Sequence, residues 1–564
     1  MRSTRRRHAA ALGLTALSLG VLAACGGGSS PDSTAGSDGS DATSGGEQGG
    51  GTLVFGASAD PVSLDGAYTS DGESARVQRQ IFETLVTTKP GGTEVEPLLA
   101  KSYEVSEDGK SWTFNLQDDV MFTDGTPLDA EAVCFNFDRW YNFEGVQQSA
   151  SVSYYWQTVF SGYANNEDDS LGESLYASCE AKDDTTAVIN LTSPSASFLA
   201  GLALPAFSIA SPKALEEFGA DDVSGDGETP SFNGTFGTTN PVGTGPFKLE
   251  SNEKGQQVVL ARNDDYWGEK AKLERLIFKP IADGPARRAA LESGDIQGYD
   301  LVDPADLGAL EEAGYQLLQR PAFNVGYIGF NTSKPPMDNP KIRQAIAHAL
   351  NREALVQAQY PEGAEVAKQF MPPQLFGYAD DVTTYDYDVE KAKSLIAESG
   401  VTNPTLEFYY PTDVSRPYMP NPEANFQAFQ TDLEAAGFTV TPKSAPWTPE
   451  YLDTVNTGGA AMYLLGWTGD FGDPDNFIGT FFRTSQPAWG PLDQAIYDQL
   501  EKARVDGDEE SRTEEYKEAN KLIMDFLPGI PYVHTSPSLA FNENVKGYVP
   551  SPVSLEEFRT VSLG

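Results

Sequence analysis

Residues 26–51 are almost entirely Gly, Ser, Asp, Thr and Ala, a composition that cannot bury a core and behaves as a flexible tether. Folding therefore begins near Thr52. Ahead of the tether, Arg2, Arg5, Arg6 and Arg7 form a basic region and Ala9 to Ala24 an apolar one, the pattern of an export signal. The signal ends in Leu22-Ala23-Ala24-Cys25, which matches a bacterial lipobox. In that reading the chain is cut before Cys25 and the sulfur receives a diacylglycerol. An ordinary cleaved signal with a chance cysteine is the other reading. A tether has a use directly after a lipid anchor, whereas after a plain signal it would be idle.

From Thr52 onward the chain is long enough for several domain-sized units and real cores. The 564 residues carry 82 Asp+Glu against 39 Lys+Arg. That excess excludes a binder of nucleic-acid phosphates, which needs Lys and Arg to neutralise them. It also repels anionic lipid, so membrane attachment has to come through Cys25. No stretch after residue 25 approaches the 18 apolar residues of a spanning helix. With Cys25 lipidated, Cys134 and Cys179 remain as an even pair. An oxidising compartment permits a disulfide between them; two separate buried thiols is the alternative. No histidine lies near either cysteine, so they make no metal site.

Along the chain, Thr52 to Gly56 reads as a strand and Gly72 to Leu85 as a helix. Tyr103 and Val105, the turn Asp108-Gly109, and the alternating Trp112, Phe114 and Leu116 form a hairpin. Asp129 caps a helix through Trp140. Residues 221–240 read as a surface excursion, and a helix covers Pro285 to Ser293. Asn339-Pro340 opens a helix whose Ile342, Ala345, Ile346, Ala349 and Leu350 make one apolar stripe. Asp388 caps another helix that ends at Gly400, and Phe426, Phe429 and Leu433 stripe a third that ends at Gly437. Short strands between these helices indicate α/β lobes with an α+β insert from about Val95. The acidic run 506–518 reads as a solvated helix face.

Catalytic signatures are missing. There is no GxxxxGK[ST] loop, HExxH, CxxC or GxSxG, and Gly243-Thr244-Gly245 lacks a third glycine. Beyond the signal there are two histidines, His348 and His534, both read as structural. Two segments place polar groups among apolar and aromatic ones. Asp470 follows an apolar strand and stands between Trp467 and Phe471, where a desolvated carboxylate needs a cationic partner. Arg416 is held beside Pro417 and Tyr418 in the loop after the strand Leu406 to Tyr410. As charges alone, the two are surface loop residues, partners of each other, or ligand contacts.

The chain resembles the family 5 extracellular solute-binding proteins, the peptide and nickel receptors of ABC importers. The resemblance covers nearly all of residues 52–550. It rests on Glu94 to Ala100 leading to Val105 to Lys110, on Val242 to Phe247, and on Tyr266-Trp267-Gly268. It continues through Asn324 to Tyr327, Asn331 to Pro336, Asn339 to Ala345 and Trp467 to Phe477. The last segment and Ser415-Arg416-Pro417-Tyr418 place it in the dipeptide branch. Phe471, where a polar residue is the rule, and the long excursion before Asn240 depart from the pattern.

The resemblance implies a two-lobed periplasmic-binding-protein fold (type II, large peptide-binding cluster) with an extra domain in the first lobe. Lobe one would be 52–92, 205–322 and 530–564, the insert 93–204, and lobe two 323–529. Asp470 would accept a peptide's α-ammonium and Arg416 its carboxylate. Trp467, Thr468 and Gly469 would line the cleft, with Tyr418 and Pro417 at the carboxylate end and Thr69 contributing from lobe one. The implied molecule is a monomeric, lipid-anchored receptor on the outer face of the cytoplasmic membrane, in the periplasm or cell-wall space. It would have no catalytic activity, metal or cofactor, and would pass short peptides to permease subunits with a cytoplasmic ATPase. Charged ends are the constant handles of peptides with varied side chains, so charge-assisted bonds at both termini suit such a receptor. Receptors of the same fold for oligopeptides, haem or other solutes are the alternatives, with peptide sensing and an exported hydrolase further off.

Overall fold

The computed structural model describes residues 50–564 apart from 170, 226, 228, 229 and 554. The export signal, Cys25 and nearly all of the tether lie outside the described residues.

Two large sheets organise the chain. The first has seven strands in the order Phe247–Glu253, Gln257–Arg262, Arg275–Pro280, Thr52–Ala57, Gly298–Tyr299, Ser538–Phe541, Gln316–Gln319. Thr52–Ala57 lies parallel to Arg275–Pro280, with Phe55 opposite Phe278. The Phe55 ring also meets Phe541 and Phe558, so residues far apart in sequence share one buried cluster. The second sheet has five strands, in the order Thr439–Pro446, Thr405–Thr412, Met462–Thr468, Asn324–Phe330, Gly529–Val533. Asn324–Phe330 is buried along its whole length, as a strand covered on both faces has to be.

A third, four-stranded sheet orders Ala100–Val105, Ser111–Leu116, Thr186–Leu191 and Tyr176–Asp183. The helix Ala130–Tyr141 packs on it, and a disulfide joins Cys134 of that helix to Cys179 of the last strand. The short helix Tyr154–Phe160 lies inside the loop this bond closes.

Most elements follow their local chemistry. Asp129, Asn339, Asp388 and Asn421 each accept a backbone N–H at a helix start. Gly400 and Gly437 end two of those helices in the left-handed region. Three readings need correction. The first long helix is Gly72–Ile81 and stops before Leu85, because Phe82 turns extended at its C-cap. The strand Gly529–Val533 pairs with Asn324–Phe330, so the return to the first sheet falls in 534–537 and not at 530. The acidic run is only partly solvated: in the helix Glu509–Phe526, Arg512 and Glu515 are buried and pair with Asp473 and Lys502.

The chain passes between the two large sheets at 320–323 and at 534–537, and the Arg320 N–H donates to the Pro537 carbonyl where the passages run together. Arg320 also belongs to a buried charge cluster. It pairs with Asp300 and with Glu556, and Arg76 pairs with Asp300, Glu556 and Glu73. Burial alone would raise the Asp300 pKa, but the two guanidinium groups hold it well below the usual carboxylate range.

Candidate functional site

Between the two large sheets lies a cavity of about 810 Å3, in the upper part of the roughly 300–1,000 Å3 typical of small-ligand sites. All eight ligand-contact residues named from the sequence border it: Thr69, Arg416, Pro417, Tyr418, Trp467, Thr468, Gly469 and Asp470.

Asp470 follows the strand Met462–Thr468, with Gly469 between them, and is held by Asn476 from the turn Pro474–Asn476. The Asp470 N–H donates to Asn476 Oδ1 at 2.7 Å, and Asn476 Nδ2 donates to Asp470 Oδ2 at 3.2 Å. Asn476 Oδ1 also takes a long bond from the Trp467 indole. One buried amide thus fixes the carboxylate and the neighbouring ring together. The loop is anchored further by the buried pair Asp473–Arg512, at 3.0 Å. Tyr155 Oη, from the inserted domain, donates to Asp470 Oδ1 at 2.9 Å. Burial raises the Asp470 pKa to about 6, with Asn476 and Tyr155 opposing the rise.

Arg416 sits in a tight turn, where its N–H and carbonyl are both bonded to Met419. The next two residues are pinned as well: Thr535 Oγ1 donates to the Pro417 carbonyl, and the Tyr360 and Tyr532 hydroxyls donate to the Tyr418 carbonyl. The Tyr418 ring lies where a Cβ on Gly466 would stand, so a side chain at 466 would displace it. The Arg416 guanidinium stacks over the Trp447 ring at 4.8 Å, and its Nε is buried without a hydrogen-bond partner.

Neither Asp470 nor Arg416 forms an ion pair among the described residues. They are half-buried and face one cavity, which rules out mutual pairing and surface-loop placement alike. Thr69 reaches the cavity from the first lobe, with its Oγ1 accepting from Gln78 at 2.9 Å. The lobes are in contact: beyond the Tyr155–Asp470 bond, Phe471 is buried in the apolar cluster of the inserted domain. Thr93 packs against Gly472.

Sequence reasoning missed Tyr154, Tyr155 and Trp447. The tyrosines stand in an aromatic-rich run with nothing to say that one would meet a carboxylate 315 positions away. Trp447 comes after a strand whose alternation gives no hint of a cation. His534 is buried, donates from Nδ1 to the Asn324 carbonyl at 2.6 Å, and is held neutral by burial, its pKa lowered to about 4. Neither His534 nor His348 borders the cavity. Among the described residues no group of His, Cys, Asp and Glu is arranged to hold a metal ion, and no helix is long and apolar enough to cross a membrane.

The family model described as "Bacterial extracellular solute-binding proteins, family 5 Middle" matches residues 94–489. The chain is 33% identical to the dipeptide-binding protein of Escherichia coli (strain K12), with 91% of this chain and 94% of that protein covered. It is 31% identical to haem-binding protein A of Haemophilus influenzae, over 91% and 92%. Among solved structures it resembles an ABC transporter-associated periplasmic binding protein from Helicobacter pylori in complex with the peptide STSA. The TM-score is 0.75 at 28% identity, covering 92% of this chain and 98% of that one.

Proposed function

Because the chain belongs to the family 5 bacterial extracellular solute-binding proteins, which are receptors and not enzymes, we propose that it captures dipeptides for an ABC importer. In this reading the lipid on Cys25 and the tether hold the receptor at the outer face of the cytoplasmic membrane, and the closed, liganded molecule delivers its peptide to the permease.

One observation carries the reading. Asp470 and Arg416, an unpaired carboxylate and an unpaired guanidinium on rigid loops, border the same cavity. A free dipeptide presents the complementary charges at its two ends whatever its side chains, and each charge-assisted bond is worth roughly 1.5–3 kcal/mol. Asp470 takes the ammonium and Arg416 the carboxylate. Trp467, Thr468, Gly469, Pro417, Tyr418 and Thr69 flank the extended backbone. Closing the lobes removes water from both ends and strengthens both bonds.

Calorimetric titration with Ala-Ala, Ala-Ala-Ala-Ala and N-acetyl-Ala-Ala tests this. The expected result is tight binding of Ala-Ala and loss with the acetylated form, which has no ammonium. The Helicobacter pylori relative was solved with the four-residue peptide STSA, which makes the tetrapeptide a necessary arm. Equal or tighter binding of Ala-Ala-Ala-Ala would remove Arg416 from the role of length-setting clamp and move the protein to the oligopeptide receptors. Haem, named for a relative, is the control ligand.

A further inference from the structure

Three consecutive residues of the site loop reach from the second lobe to the first. Asp470 takes the Tyr155 hydroxyl, Phe471 enters the apolar cluster of the inserted domain, and Gly472 lies against Thr93. Phe471 departs from the resemblance, and no part of the dipeptide reading uses it. It is 4% exposed and shares its cluster with Leu85, Leu99, Phe137 and Phe207, none of them in the second lobe. Gly472 has no left-handed φ, yet a Cβ there would stand 2.7 Å from the Thr93 carbonyl oxygen. Close approach, not torsion, is what requires glycine here. Thr93 sits in a turn closed by the Lys89 N–H donating to the Glu94 carbonyl at 2.8 Å. On the other side the loop is fixed to the second lobe. The Asp473 N–H donates to the Phe471 carbonyl at 2.9 Å, and the Asp473 carboxylate pairs with Arg512. With both walls held this way, the lobes cannot part without drawing Phe471 out of its cluster.

We propose that Phe471 and Gly472 form a latch that keeps the lobes together without peptide, so that the ligand-free receptor is mostly closed and peptide release waits on this contact. The inference rests on the reading of a receptor that closes around its ligand, and goes beyond it by naming what sets the closing equilibrium. Closing on an empty cavity takes Asp470 out of water with no cation beside it, which opposes closure. Burying a phenylalanine ring shifts the equilibrium the other way by roughly tenfold to a hundredfold. Phe471 does not border the cavity. It acts on the peptide through closure and through its neighbour Asp470, as a positioning residue. A latch of this kind slows both steps of binding: peptide enters only the minor open form, and leaves only when the contact breaks.

The test compares the full processed chain with Phe471→Ser and Gly472→Ala by small-angle X-ray scattering, with and without Ala-Ala, and by stopped-flow binding. The parent's radius of gyration should be the same in both states. Each variant should be larger than the parent without peptide and return to the parent's size at saturating Ala-Ala. Release of Ala-Ala from Phe471→Ser should be at least about tenfold faster. Association should also be faster, because more of the free receptor is open, so affinity falls by less than the release rate rises. A purely structural role would weaken binding without speeding association. Gly472→Ala, which only wedges the contact, carries the test alone if Phe471→Ser loses its circular dichroism. Folded variants as compact as the parent without peptide overturn the latch, and so does a parent that shrinks on adding Ala-Ala as much as the variants do. Enlarged variants in a set of proteins that bind no dipeptide would support the latch and overturn the dipeptide reading alone.

Discussion

The Tyr155 hydroxyl donates to the Asp470 carboxylate at 2.9 Å, joining the inserted domain to the second lobe across 315 positions of sequence. With the lobes in contact it does two things at once: it aims the carboxylate, and it holds one lobe to the other. Tyr155→Phe removes the hydroxyl and keeps the ring. A hydrogen bond to a charged group contributes about 1.5–3 kcal/mol, so dipeptide affinity at pH 7 should fall by roughly tenfold to a hundredfold. Because this bond opposes the upward shift of Asp470, the acid limb of binding should also move to higher pH. A substitution that merely loosened packing would weaken binding without moving that limb.

The pH dependence arises from the same group. Burial pushes the Asp470 carboxyl up to about 6, and a protonated carboxyl no longer attracts an ammonium. Affinity should be flat near pH 7 and fall toward tenfold per unit below about pH 6. It should fall again above about pH 8 as the peptide amine loses its proton. For stability the sign is opposite. A carboxyl whose folded pKa is raised contributes stability below its unfolded pKa and loses it as pH rises through the folded value. Asp470→Asn should therefore unfold at a higher temperature than the parent at pH 7 while binding Ala-Ala poorly, with the stability difference vanishing below pH 4.

Arg416 is held by geometry and not by an opposite charge. Its guanidinium stacks over Trp447 at 4.8 Å, and the turn beneath it is pinned by Thr535, Tyr360 and Tyr532. Lysine keeps the charge but loses the planar face and the fork that takes a carboxylate through two bonds. Arg416→Lys should keep the parent's melting temperature within a degree or two and lose roughly tenfold to a hundredfold in affinity for Ala-Ala. Retention of full affinity would mean that a point charge suffices there.

What the sequence revealed, and what it hid, divides by range. Helix caps such as Asp388 with Gly400, and stripes such as Phe426, Phe429 and Leu433, are local patterns, and the structure follows them. Asp470 and Arg416 stood out because each is a charge beside aromatic residues on a short segment. The Tyr155–Asp470 bond and the Arg416–Trp447 stack were invisible, since both depend on how separate elements meet. The acidic run misled for a related reason. A helix of alternating charges reads as solvated, yet Arg512 turns inward because Asp473, from the site loop, is there to pair with it. The resemblance supplied the long-range part of the argument that periodicity cannot.

The disulfide bears on the same contact. Cys134 and Cys179 close a loop of 45 positions that contains Tyr155. Closing a loop of that length restricts the unfolded chain enough to stabilise the fold by about 2–4 kcal/mol. Cys134→Ser/Cys179→Ser should lower the melting temperature and also weaken peptide binding modestly, because the helix Tyr154–Phe160 loses its tie. Addition of a thiol reductant to the parent should reproduce both effects. Unchanged binding in the double variant would show that Tyr155 is positioned by packing alone.

The buried cluster at the crossing sets the last expectation. Arg320 lies where the chain leaves the first sheet and pairs with both Asp300 and Glu556, each almost fully buried. Removing it would leave two carboxylates facing the single guanidinium of Arg76, which also serves Glu73. Breaking a buried pair by deleting one partner costs about 3–5 kcal/mol, so Arg320→Ala should shift the urea midpoint substantially at pH 7. Asp300 is held below the usual carboxylate range, so its contribution is present above its unfolded pKa and fades as pH falls through the lower folded value. The gap between parent and Arg320→Ala should therefore begin to narrow as pH falls through the carboxyl pKa values that burial raises in the variant, and close fully only in strong acid, well below pH 4. A gap that closes already near pH 6 would assign the stabilisation to some group other than this carboxylate.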